Sequence, residues 1–136
     1  MFDRVYVGVL NNSSKNATFT PEERVEMIER VIQENGFTNV EAEHFGGLLV
    51  NFVSQKGATH IIRGLRASMD FEYEFQIDAM NRHLAPEIRT VYFMANPVHS
   101  FVSSSNVREI ASLGGSIKGL VPECNINKIT ERLGNA

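Results

Sequence analysis

The 136-residue chain predicts an α/β fold: a parallel β-sheet with helices on both faces, in one domain spanning 1–136. Three observations carry this. Short apolar runs rich in β-branched residues alternate with amphipathic stretches of roughly 10–15 residues. The first three helical stretches each lie between two strand signals, and such crossovers are right-handed and join parallel strands. The residues least suited to a core fall just after the strands, at the carboxyl edge where such sheets bind ligands.

Val5 to Leu10 is nearly all apolar, as a strand buried on both faces requires. Asn11 to Thr18 is a polar loop. Thr20-Pro21-Glu22-Glu23 is a capping box with proline at the first helical position. The helix it starts carries Val25, Ile28, Val31 and Ile32 on one face and ends near Gly36. Val40 to Phe45 reads as a strand. Gly47 to Lys56 is a short helix with Leu48, Leu49, Phe52 and Val53 apolar, closed by Gly57. Thr59 to Ile62 is the next strand. Asp70, as N-cap, opens a helix that runs to Leu84 with Phe71, Phe75, Ala79 and Met80 apolar, stopped by Pro86. Thr90 to Met94 is a strand, Ser104 to Leu113 a helix ended by Gly114-Gly115, and Pro122 to Leu133 a final helix. On this reading Lys15, Gly46 to Leu49, Arg63 to Arg66 and His99 to Ser105 follow the four strands and converge on one edge.

Composition narrows the function. Hydrophobic residues at 43% and charged residues at 21% suit a soluble globular protein. A net charge of −3 and a pI of about 5.8 argue against a general binder of nucleic acid or of anionic membranes. The single cysteine, Cys124, excludes an internal disulfide and suits a reducing cytoplasm. No apolar run approaches the roughly 20 residues that span a bilayer, and no basic-then-apolar leader is expected. No His/Cys/Asp spacing resembles a zinc site, so no metal site is expected in the chain itself.

The segment Arg63-Gly64-Leu65-Arg66 carries the sharpest chemistry. Arginine's planar fork gives phosphate two parallel hydrogen bonds, and glycine lets backbone approach a ligand. The same arginines could instead pair with Asp70, Glu72 or Glu74, since ion pairs are common on loops. Ser103-Ser104-Ser105 opens a helix, whose free N–H groups and partial positive charge suit phosphate. Serine there is also simply a good N-cap, the reading the residues alone favour. Lys15, read alone, is a solvated surface lysine.

Longer motifs add a resemblance. RGLRASMDFEYEFQIDAMNRHLAPEI from Arg63, SSK at Ser13 to Lys15, FTPEER at Phe19 to Arg24 and HSFVSSSNVREI from His99 to Ile110 resemble bacterial phosphopantetheine adenylyltransferases, in order from Met1 to about Leu133. The resemblance implies a Rossmann-like nucleotidyltransferase fold. It also implies that Met1-Phe2-Asp3 corresponds to the end of the family's first helix. The first strand, the G-[ST]-F-D-P-x-T-x-G-H loop with its catalytic histidine and most of that helix would then be missing, because no such motif occurs here.

The implied reaction is transfer of AMP from ATP to 4′-phosphopantetheine, giving dephospho-coenzyme A and pyrophosphate. Carried over by resemblance, Lys15 and Arg66 are catalytic. Lys15, Leu49, Arg63, Asn81 and Glu109 meet phosphopantetheine. Gly64, Leu65, Arg66, Glu74 and the loop His99, Ser100, Phe101, Val102, Ser103, Ser104 and Ser105 meet ATP. Leu49 could equally be helix core, and Glu74 a solvated residue or an ion-pair partner of Arg82 or Arg66. Magnesium is implied only as the ion that ATP carries, with few protein ligands. The resemblance further implies a hexamer of two stacked trimers, coenzyme A-type ligands and a cytoplasmic location, with no nucleic acid or membrane partner. Two other readings stand beside it: a catalytically dead fragment that binds phosphopantetheine or coenzyme A or contributes to assembly, and an unrelated nucleotide-binding α/β domain.

Overall fold

The computed structural model describes residues 1–11 and 16–134. Strands and helices alternate in the order β1 (Val5–Leu10), α1 (Pro21–Glu34), β2 (Val40–Phe45), α2 (Leu49–Gln55), β3 (His60–Leu65), α3 (Ser68–Leu84), β4 (Arg89–Met94), α4 (Ser104–Ser112) and α5 (Ile126–Gly134). All pairing among the described strands is parallel, as the crossover argument predicts. The ladders come as two pairs, β1 with β2 and β3 with β4. The chain divides accordingly into two compact units, one of residues 1–46 and 102–136, the other of residues 47–101.

In the first unit β1 registers with β2 from Val5 opposite Val40 to Leu10 opposite Phe45. The capping box of α1 is formed: the Thr20 hydroxyl accepts from the Glu23 N–H at 3.1 Å, and the Glu23 carboxylate accepts from the Thr20 N–H at 2.9 Å. The apolar face of α1 is half-buried rather than buried. The core of this unit lies among the later helices, where Val107, Ala111, Ile117 and Ile129 pack with Phe19, Met27, Ile110 and Leu133. The final helix signal divides into a 3-10 turn at Glu123–Asn125 and then α5. Asn125 is buried at the join, and its amide donates to the Met27 carbonyl at 3.0 Å.

In the second unit the core is Val50, Val53, Ile61, Ala85 and Ile88, with Leu49 and Ala58 against it. Here β3 is longer than the sequence predicts. Arg63, Gly64 and Leu65 continue the strand and register with Tyr92, Phe93 and Met94 of β4. Backbone pairing and a salt bridge override the low strand preference of Gly and the charge of Arg. Along β3 every second residue faces inward: Ile61 and Leu65 are buried, while His60, Ile62 and Gly64 are exposed. The helix α3 also begins earlier than predicted. Ala67, extended, is its N-cap without a side-chain bond, and Asp70 lies inside the first turn. A short 3-10 turn at Pro97–His99, opened by Asn96, follows β4. No helix among the described residues is long and apolar enough to cross a membrane.

Candidate active site

Alternation along β3 puts Arg63 on the same face as Ile61 and Leu65. A charge between two buried aliphatics needs a partner, because desolvation is costly unless geometry and hydrogen bonds compensate. Glu74, from α3, is that partner. Arg63 Nε donates to Glu74 Oε2 at 2.8 Å, and Nη2 donates to Oε1 at 2.5 Å. The Glu74 side chain is 9% exposed and that of Arg63 38% exposed, so the carboxylate is sealed while the guanidinium reaches solvent. The Glu74 carboxylate holds the Arg63 proton more firmly than usual. Tyr92 lies opposite Arg63 in the β3–β4 register, and its hydroxyl donates to the Glu74 carbonyl at 3.3 Å. Burial pushes the Tyr92 phenol up. A cleft of about 50 Å³, lined by Leu65, Phe71, Glu74, Phe75, Asp78 and Tyr92, lies beside the pair. That is far below the roughly 300 Å³ of the smallest ordinary ligand pockets, and Arg63 is not part of its lining.

Arg66 stands in the turn after β3. Its backbone N–H donates to Asp70 Oδ2 at 3.1 Å and its Nε to the same oxygen at 3.3 Å. The backbone bond, then the side-chain bond, holds the Asp70 carboxyl below its usual range. Asp70 therefore organises the turn before the helix, not as an N-cap but by reaching back from within it. Both arginines of the motif thus have carboxylate partners, as the ion-pair alternative allows. Only for Arg63 is the partner carboxylate buried. Gly64 is a strand residue with ordinary φ, and a Cβ there would lie 4.0 Å from the nearest backbone atom, the Phe93 carbonyl oxygen. Neither conformation nor crowding requires glycine, so its contribution is an open backbone face.

The other expected residues of this unit are placed as follows. Leu49 packs against the core, as its helix-core alternative has it. Asn81 lies two turns beyond Glu74 on the same face of α3, half-buried. The ion-pair partner of Glu74 is Arg63, and Arg82 Nε donates to Asp78 at 2.7 Å. His99, Ser100 and Phe101 are exposed at the end of the unit.

In the first unit Ser103 is the N-cap of α4, its hydroxyl accepting from the Asn106 N–H at 3.1 Å. Ser104 and Ser105 are exposed on the first turn, and Ser105 Oγ accepts from Arg108 at 3.3 Å. Val102 packs against that unit's core, and Glu109 is exposed on α4. The capping role of Ser103 is formed, and the first turn that follows it is exposed. Ser13 and Lys15 lie outside the described residues. Among the described residues no group of three or more His, Cys, Asp or Glu side chains is arranged to hold a metal ion. Tyr92 escaped the sequence reading. The signal was its place in an alternating strand, which by itself says only that one face is inward.

Residues 1–110 match the cytidylyltransferase-like family. Over all 136 residues the chain is 48% identical to the phosphopantetheine adenylyltransferase of Clostridium kluyveri, covering 82% of that protein. The chain belongs to the phosphopantetheine adenylyltransferase family. The enzymes of that name from Alkaliphilus metalliredigens and Clostridium perfringens are each 45% identical over 132 residues, 97% of this chain and 83% and 79% of theirs. The likeness runs through both units, including the segment that holds Arg63, Glu74 and Tyr92.

Proposed function

We propose that this protein transfers the adenylyl group of ATP to 4′-phosphopantetheine, giving dephospho-coenzyme A and pyrophosphate. The likeness along the whole chain to relatives bearing that name carries the reading. A phosphate oxygen of phosphopantetheine attacks the α-phosphorus of ATP, the new P–O bond forms, and the bond to the bridging oxygen breaks as pyrophosphate leaves. No covalent intermediate is needed, so the protein contributes positioning and charge.

Arg63 takes the phosphate of phosphopantetheine on the end of its fork that Glu74 leaves open. Leu49 and Asn81 follow along the pantetheine arm, with apolar contact from one and amide hydrogen bonds from the other. The end of β3 at Gly64 and Leu65, with Arg66 in the turn after it, takes the nucleotide, the glycine offering bare backbone and Arg66 its charge. The first turn of α4, at Ser103 to Ser105, offers N–H groups to phosphate oxygens. Lys15 supplies a point charge for the transferring group, and Glu109 a polar contact to pantetheine. Magnesium enters as part of the ATP substrate. The described residues include no carboxylate cage for it, and no step here runs through it.

Assembly as a hexamer is part of the proposal. Its support is the apolar surface of α3, where Phe71, Tyr73, Phe75, Met80 and Leu84 are all exposed. The location proposed is the cytoplasm, which supplies ATP and keeps Cys124 reduced. Given magnesium-ATP and phosphopantetheine, the protein should form dephospho-coenzyme A and pyrophosphate in equal amounts. Pyrophosphate without dephospho-coenzyme A, or neither product, would contradict the assignment.

A further inference from the structure

We infer that the Arg63–Glu74 pair couples the two substrates. A nucleoside group bonded to Glu74 tightens the hold of Arg63 on the phosphopantetheine phosphate, and the phosphate tightens the nucleotide in return. The inference rests on the reaction proposed above, with Glu74 meeting ATP and Arg63 meeting the acceptor phosphate as the resemblance implies.

The pair has free positions at both ends. A carboxylate offers about four acceptor sites, and Arg63 takes two of them, through Nε at 2.8 Å and Nη2 at 2.5 Å. A guanidinium has more donors than the pair uses, and the Arg63 side chain stays 38% exposed. A carboxylate only accepts, which decides the part of ATP that it meets. The ionised triphosphate has no donor, so the partner is a ribose hydroxyl or the adenine amine. That group, Glu74, Arg63 and the acceptor phosphate then form one chain of hydrogen bonds.

Such chains polarise from end to end. A donor on Glu74 draws electron density from the oxygens that Arg63 uses and loosens the pair. More of the guanidinium charge is then left for the phosphate, so the two ends reinforce each other. Burial sets how much is transmitted, because a low local dielectric strengthens polarisation and water weakens it. The Glu74 side chain is 9% exposed. In the neighbouring Arg66–Asp70 pair both side chains are 30% exposed or more, and solvent screens it. Tyr92 steadies the chain: it lies opposite Arg63 in the strand register, and its hydroxyl donates to the Glu74 carbonyl.

The test is calorimetric titration of phosphopantetheine with and without a saturating ATP analogue, and the reverse titration. The analogue, with magnesium, carries a methylene between its α- and β-phosphorus, so it cannot transfer AMP. The ratio of the two affinities is the coupling factor, and it must be the same in both directions. Phosphates of the two ligands repel each other in every variant, so each factor is compared with that of the wild type. Polarisation adds about 10–30% to a charge-assisted bond, and Glu74→Gln should therefore lower the factor about threefold. Arg63→Lys keeps the charge and loses the fork; it should lower the factor similarly, and it carries the test if Glu74→Gln does not fold. Asp70→Asn should leave the factor unchanged. With pantetheine lacking the phosphate, wild type and Glu74→Gln should give the same factor. A wild-type factor in Glu74→Gln or in Arg63→Lys, with both ligands still bound, would overturn the inference alone. A factor lowered equally by Asp70→Asn would overturn it too, because the coupling would then not belong to the buried pair. If the wild type fails to bind phosphopantetheine or the analogue, the proposed reaction fails and takes the inference with it.

Discussion

Each unit contains an Arg–Glu pair that ties elements together, and the two pairs do different work. In the first unit Arg132 of α5 donates to Glu23 of α1 at 2.5 and 3.2 Å. Its Nη1 also donates to the Thr18 carbonyl at 2.9 Å, and its guanidinium lies 4.9 Å from the centre of the Phe19 ring. Both terminal nitrogens and one face of this arginine are occupied by the protein, and Glu23 closes the capping box as well. In the second unit Arg63 makes the same two-pronged contact with Glu74 along one edge only, and its other end meets solvent. Opposite charges in contact therefore do not distinguish a structural pair from a functional one. What distinguishes them is where the remaining donors go. Arg132 uses them to fasten a loop and two helices, whereas Arg63 pairs along one edge and stays 38% exposed, which on the proposed reaction leaves it open to a ligand.

The largest expected effect breaks the comparison on the ligand side. Arg63→Gln should weaken phosphopantetheine by roughly 10- to 100-fold, the range for hydrogen bonds to a charged group. Arg132→Gln should leave phosphopantetheine affinity unchanged. Titration of both variants side by side checks this, and equal losses would erase the distinction. Next is the acid limb of stability. Hydrogen bonding to Arg132, reinforced by the Thr20 N–H, lowers the Glu23 pKa from the usual 4.5 to about 2. A depressed carboxyl contributes stability that is complete above its unfolded pKa and is lost as pH falls through the folded one. Melting temperature should therefore decline from about pH 4.5 toward pH 2. Glu23→Gln should flatten that part of the decline without changing ligand affinity. Thr20→Ala, which removes the other half of the capping box, should cost about 1 kcal/mol in urea unfolding at neutral pH. The smallest effect sharpens the second unit: Tyr92→Phe deletes only the hydroxyl that holds the Glu74 carbonyl. It should weaken phosphopantetheine by about threefold, in keeping with a single neutral hydrogen bond.

Much of the fold was legible because its signals are local. The strands Val5–Leu10 and Val40–Phe45 have the predicted boundaries, and the Thr20 capping box and the Ser103 cap form as their residue types require. The end of β3 was not legible. Arg63-Gly64 looks like the close of a strand, and only its pairing with Tyr92 and Phe93, together with Glu74 from the next helix, keeps it extended. The start of α3 misled for a related reason. Asp70 has the chemistry of an N-cap but spends it on the Arg66 N–H from inside the first turn. The grouping of four strands into two ladders depends on contacts distant in sequence, which periodicity does not contain.

The site divides the same way. Residue types and motifs pointed to Arg63, Arg66 and the Ser103 helix start. They left three carboxylates open as partners for the arginines, because a strand-to-helix contact has no fixed spacing. Local geometry then assigned Asp70 to Arg66 and Glu74 to Arg63. Tyr92, whose relevance is a single hydroxyl bond to a backbone carbonyl, had no sequence signal beyond its strand.

The most direct test of the account is pyrophosphate release from magnesium-ATP, with phosphopantetheine compared against pantetheine lacking the phosphate. The account predicts release with the phosphorylated acceptor only, because its phosphate is both the nucleophile and the group that Arg63 receives. Equal release with the two acceptors, or none with phosphopantetheine, would contradict it.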